Sequence, residues 1–129
     1  MKHNLTLTIA SLLSILFVTF HLADDINRGM SPGGLLNLFA VAICVVWLYG
    51  TLVLTERRSG HVIMLIGSLI ALAMPAFHVM GREGVFRGQL ARSSADFLFV
   101  WTLHALGVTG MFSLILAASG LLNRQRAQP

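Results

Sequence analysis

Residues 97–122 read FLFVWTLHALGVTGMFSLILAASGLL, with no Asp, Glu, Lys or Arg among them. An α-helix rises about 1.5 Å per residue, so this stretch is long enough to cross a hydrocarbon core of roughly 30 Å, which needs about 20 residues. In hydrocarbon every backbone N–H and C=O has to be satisfied within the segment, which makes the segment a helix. Three further stretches have the same character: Leu5–Ala23, Leu35–Thr55 and His61–Gly81. The sequence therefore predicts an all-α membrane protein: a four-transmembrane-helix bundle, up-down-up-down, forming one domain over residues 1–129. Its helices are expected at about 5–23, 35–55, 61–81 and 97–122, with an outer loop at 82–96.

Composition agrees. Hydrophobic residues make up 56% of the 129-residue chain and charged residues 11%, where a soluble domain carries about a quarter charged. A soluble chain this short has too much surface per volume to bury such a share of apolar side chain. The lipid bilayer is the expected partner. The net charge of +4 sits in short segments between apolar runs, with no basic helix face, so nucleic acid is not expected and the charge reads as topology signal. Leu5–Phe20 is long for a signal-peptide core, and no A-x-A site precedes Asp24 and Asp25, so the first segment is read as a retained helix. Cys44 lies within an apolar run and reads as a small packing residue. The methionines show no M-x-M clustering and read as adaptable packing.

Helix boundaries carry their own signals. Ser31-Pro32 has the form of an N-cap followed by proline at the first helical position. Ser59-Gly60 can cap the third helix, and Ser93-x-x-Asp96 is a capping box for the fourth. Arg124 and Arg126 suit a helix C-terminus. An even number of spans puts both termini on one side, together with Glu56, Arg57 and Arg58. That side holds Lys2, Arg57, Arg58, Arg124 and Arg126, against Arg28, Arg82, Arg87 and Arg92 on the other. The bias predicts cytoplasmic termini in the cell (inner) membrane. In the outer loop, Arg82, Arg87 and Arg92 alternate with Val85, Phe86 and Leu90. They are expected to contact lipid phosphates, or to hold an anion as part of a lid.

Chemistry gathers on that outer side. His21, Asp24 and Asp25 end the first helix, His78 lies near the end of the third, and His104 lies early in the fourth. On the first helix Asn4, Leu7, Ser11, Ser14, Val18, His21 and Asp25 recur every three or four residues and share one stripe. It is the most polar stripe, and such stripes face other helices. His21 and Asp25 are therefore expected to point into the bundle, with Asp24 at the stripe's edge. Pro75 leaves the Ala71 carbonyl without its usual donor, and Gly107 and Gly110 allow close helix approach beneath His104. Trp101 reads as a flank of the site or as part of the interfacial aromatic belt.

Three imidazoles with one or two carboxylates suit zinc or non-haem iron. The expected ligands are His21, Asp25, His78 and His104, with Asp24 as ligand or orienting partner. Metal-assisted hydrolysis is the first reaction such a site suggests. A bis-histidine haem and a proton or cation path are the other chemistries these residues allow. His3 and His61 fall on the opposite side and read as bystanders. Length and four-span layout resemble those of the small multidrug transporters, and a small proton-coupled transporter acting as an oligomer is a further reading, since four helices enclose little aqueous volume. That family's essential membrane-embedded glutamate has no counterpart between Leu5 and Ala23. A non-catalytic subunit packing against a larger membrane partner is the remaining reading.

Overall fold

The computed structural model describes residues 2–31, 33–80 and 94–126. It contains α1 (Lys2–Asn27), α2 (Gly34–Leu52), α3 (Arg58–Met80) and α4 (Ser94–Arg126). All four are long and apolar enough to cross a membrane, and the chain is an all-α, multi-pass membrane bundle. Neighbours in sequence pack as neighbours in space, α4 closes the ring onto α1, and α1 touches α3 across the diagonal.

Periodicity decides what faces inward. On α1, Leu7, Ser11, Ser14, Val18 and His21 are buried, which is the polar stripe expected from spacing. On α3 the buried line is His61, Met64, Ser68 and Ala71, and on α4 it is Phe99, Leu103, Leu106, Gly110, Ser113 and Ala117. Each steps by three or four residues, the repeat that keeps one face of a helix against its neighbours. Cys44 is partly buried against this core.

Hydroxyls tie the helices in pairs. Ser11 and Thr51 share a hydrogen bond of 2.7 Å, and the Trp47 indole N–H donates to the Ser11 hydroxyl at 2.8 Å. Thr8 and Thr55 extend the α1–α2 tie at 3.0 Å. Between α3 and α4, Ser68 donates to Ser113 at 2.8 Å. Small residues let the backbones close in, as membrane helix pairs require. A Cβ on Gly110 would lie 2.9 Å from that of Ala71, and one on Gly67 would overlap the Trp47 ring. Among its described residues α2 buries only Trp47, Gly50 and Thr51. The rest of α2 presents leucine, valine and phenylalanine outward, as a lipid-facing helix does.

Several boundaries differ from expectation. α1 continues four residues past Ala23 and ends where Gly29 turns into the left-handed region at φ 68°. The Arg28 and Met30 N–H groups bond back to the Asp24 and Asp25 carbonyls at 2.9 Å, a helix-ending pattern that makes both aspartates helical. α2 is capped by Gly33, whose φ of 77° and ψ of −178° only glycine adopts readily. Ser31 is not the cap; its hydroxyl bonds the Asn37 side chain and accepts from the Gly33 N–H at 3.4 Å. Pro32 and Ser93 lie outside the described residues. α3 starts at Arg58, so Ser59 and Gly60 are already helical, and α4 starts at Ser94, inside the expected outer loop. Pro75 sits within a continuous α3.

Packing at Gly67 is more demanding than any single hydroxyl tie. Gly67→Val should destabilise the bundle by about 1–3 kcal/mol through overpacking, and Ser11→Ala by about 1 kcal/mol or less. Thermal unfolding in detergent should give that order.

Candidate functional site

α1 and α3 bring His21, Asp25 and His78 together at the end of the bundle opposite the termini. His21 Nε2 lies 3.5 Å from Asp25 Oδ2, and His78 Nε2 lies 3.8 Å from Asp25 Oδ1. The two imidazoles meet edge to face with centroids 4.7 Å apart. One ligand atom from each of the three residues can be chosen so that all lie within 4.8 Å of one another. Side-chain exposure is 2% for His21, 17% for Asp25 and 16% for His78.

Hydrogen bonding at this cluster is incomplete. His78 Nδ1 faces the Met74 carbonyl at 2.9 Å. Donation from Nδ1–H to that carbonyl leaves Nε2 on the side of Asp25. His61 and His104 make the same contact one turn back, at 3.1 Å to Arg57 and 2.8 Å to Val100. His21 makes none: both its ring nitrogens, and Asp25 Oδ1, are buried without a hydrogen-bond partner. An unsatisfied buried polar group costs about 1–3 kcal/mol, so a cluster that keeps three such atoms calls for an explanation.

Phe99 and Arg28 cover one side of the cluster. Phe99 of α4 packs its ring 5.1 Å from that of His21 and 5.6 Å from that of His78. Over Phe99 lies the Arg28 guanidinium, 4.9 Å from the ring centroid. Arg28 Nε donates to Asp24 at 2.9 Å and Nη1 donates to Asp96 at 3.0 Å. These bonds, that to Asp96 first, hold the Arg28 pKa above its ordinary value, so the cation persists at any physiological pH. Asp24 near the end of α1 would be unfavourable there alone, because the C-terminal end of a helix carries partial negative charge; Arg28 compensates it. Asp96 in the first turn of α4 suits that helix end.

The remaining expected residues go elsewhere. His104 is not brought to the cluster: it is exposed on α4 and lines an outer cleft of about 320 Å³ with Leu72, Pro75, Leu103, Gly107, Val108 and Met111. The cause is helical phase, since Leu103 and Leu106 take the inward positions and His104 stands about 100° from Leu103. Trp101 is also exposed, and Phe99 takes the place beside the imidazoles. Asp24 pairs with Arg28 rather than with a histidine. Arg82, Arg87 and Arg92 lie outside the described residues. His61, expected as a bystander, is fully buried with its Nε2 unpartnered, and a Cβ on Gly120 would overlap its ring.

Sequence reading missed Phe99, Arg28 and Asp96. The spacing of Arg28 four residues after Asp24 was a signal for their pairing. The line 99, 103, 106, 110, 113, 117, 120 was a signal for which face of α4 turns inward. The chain matches no protein-family profile, no curated protein and no solved structure.

The orphaned nitrogens make a prediction about the metal-free protein. His21 makes no hydrogen bond that its replacement would break, and an apolar side chain removes its unsatisfied nitrogens. His21→Leu should therefore leave chelator-treated protein as stable as wild type or up to about 1 kcal/mol more stable. A loss of more than about 2 kcal/mol in denaturation would show that His21 holds the fold through a hydrogen bond.

Proposed function

We propose that the chain is a membrane metal-binding protein that holds one divalent transition-metal ion through His21, Asp25 and His78. The observation that carries this reading is the set of buried, unpartnered atoms: His21 Nε2 and Asp25 Oδ1, beside a His78 Nε2 that faces Asp25.

Spacing supports an ion over a proton. Hydrogen-bonded nitrogen and oxygen sit about 2.7–3.2 Å apart. Two ligands on a tetrahedral ion with bonds of about 2.0–2.1 Å sit roughly 3.4 Å apart. The two histidine–aspartate separations, 3.5 and 3.8 Å, are long for the first arrangement and close to the second. A haem is less well served: the two imidazoles touch edge to face and Phe99 packs on both, so a macrocycle between them would have to part those contacts.

Two histidines and one carboxylate are the donor set of zinc hydrolases and of non-haem iron oxygenases, and both leave coordination positions open. Metal-assisted hydrolysis is the reaction an open zinc position supports, through activation of bound water. Of the expected ligands this reading retains His21, Asp25 and His78. Asp24 acts through Arg28, and Arg82, Arg87 and Arg92 remain candidate phosphate or anion contacts. With cytoplasmic termini, as the basic residues favour, the centre faces the outer side of the cell membrane.

Cobalt(II) titration of detergent-purified protein tests the centre, because tetrahedral and octahedral cobalt differ strongly in visible absorption. One ion per chain is expected, displaced by zinc and lost in His21→Ala and in His78→Ala. His104→Ala should bind as wild type does. Protons compete with a metal for imidazole nitrogen, so occupancy should fall on acidification and return on neutralisation. Less than about 0.1 ion per chain at neutral pH would refute the reading.

A further inference from the structure

We propose that Phe99 sets the geometry of the His21–Asp25–His78 centre. It orients the His21 ring and keeps water off the ion on the α4 side, so the centre selects four-coordinate ions such as zinc over ions that require six ligands. This rests on the metal-binding reading above and names the class of ion that the centre takes.

A metal-binding imidazole is usually aimed by a hydrogen bond from its second ring nitrogen, which fixes the orientation of the ring. His78 has that bond, since its Nδ1–H donates to the Met74 carbonyl at 2.9 Å. His21 has none, and both its ring nitrogens are buried. Packing holds the His21 ring instead. Its centroid lies 4.7 Å from that of His78 and 5.1 Å from that of Phe99, each an ordinary aromatic contact. Of these two neighbours only Phe99 offers no ligand atom, so its one contribution is to hold the ring.

Helix phase puts Phe99 there. It stands on the inward line of α4 that continues through Leu103 and Leu106, and it is 5% exposed. Its ring packs against His78 as well, at 5.6 Å, and the Arg28 guanidinium lies over it at 4.9 Å. Among the described residues the clustered groups come from α1 and α3, so on the side of α4 an ion faces a hydrocarbon ring. An apolar shell of this kind controls how much solvent reaches a metal. Asp25 and His78 keep 17% and 16% of their side-chain surface in water, and solvent ligands arrive at that edge. Zinc is content with three protein ligands and a water. Magnesium demands near-octahedral geometry and manganese favours six oxygen ligands, which a centre covered on one side does not supply.

The experiment uses the full chain in detergent, titrated with cobalt(II) and then challenged with excess manganese(II), beside thermal unfolding of each metal-free variant. Wild type should show the intense visible band of tetrahedral cobalt and keep its cobalt against manganese. Phe99→Ala should bind cobalt about tenfold more weakly, as loss of an outer-shell partner does, with a weaker band as water joins the ion. Phe99→Leu keeps apolar bulk without the flat ring and should fall between the two. Leu103→Ala, one turn along the same inward line, should lose stability and keep the wild-type band, whereas a merely structural role for Phe99 would make the two alanine variants alike. A weak octahedral band in wild type, wild-type affinity and band in both Phe99→Ala and Phe99→Leu, or equal changes in Leu103→Ala would each overturn the role of Phe99 and leave the centre standing. No cobalt uptake by wild type would overturn both.

Discussion

A polar side chain inside a membrane helix has two ways to satisfy itself: the carbonyl one turn back on its own helix, or a partner on another helix. The bundle is organised by that choice. Thr8, Ser14, Thr19, Thr51, Ser68, Thr109 and Ser119 all bond the carbonyl four residues back, as do His61, His78 and His104. Such a bond is local and says little about function. Ser11 bonds across to Thr51 and Trp47 instead, and Ser68 reaches Ser113 as well as its own helix. His21 does neither. No hydrogen bond explains its placement, and that sets it apart from His61, His78 and His104.

The same constraint explains why the site lies where α1, α3 and α4 converge. Those three helices supply the buried stripes, with Ala71, Gly110, Ser113 and Ala117 drawing α3 and α4 together. α2 is held mainly by Trp47 and Thr51 near its C-terminal end, so its first half contributes no buried residue. Three closely packed helices can hold three side chains in fixed relation; a fourth that leans away on the site's side cannot add a ligand. The clustered side chains accordingly come from α1 and α3, with the Phe99 ring of α4 beside them.

Span number, helical class and the inward stripe of α1 were legible because each rests on periodicity and length, which a sequence states directly. The pairing of His21 with Asp25 was legible for the same reason: one turn separates them. His104 misled because its depth was weighed without its phase. Depth comes from counting residues, but facing comes from which neighbours are apolar and small, and on α4 the line through Leu103, Leu106 and Gly110 excludes position 104. His61 misled in the opposite sense. Its place at the other end of the bundle said nothing about burial, which Gly120 on a distant helix provides by leaving room for the ring. Arg28 was read as a topology charge, since its link to Asp96 spans 68 residues of sequence and only the fold brings the two together.

Charge at the site favours a cation as occupant. His21 and Asp25 stand in the last two turns of α1, and His78 in the last turn of α3. The C-terminal ends of both helices bring partial negative charge to this place, and Asp25 adds a carboxylate largely removed from water. An anion would meet repulsion from all three. Among the described residues the cation beside the cluster is Arg28, which pairs with Asp24 and Asp96. A divalent ion between His21, His78 and Asp25 answers the helix ends, the carboxylate and two of the three unpartnered atoms at once, whereas a proton on one imidazole answers the charge but leaves the separations too long for the bond it would make.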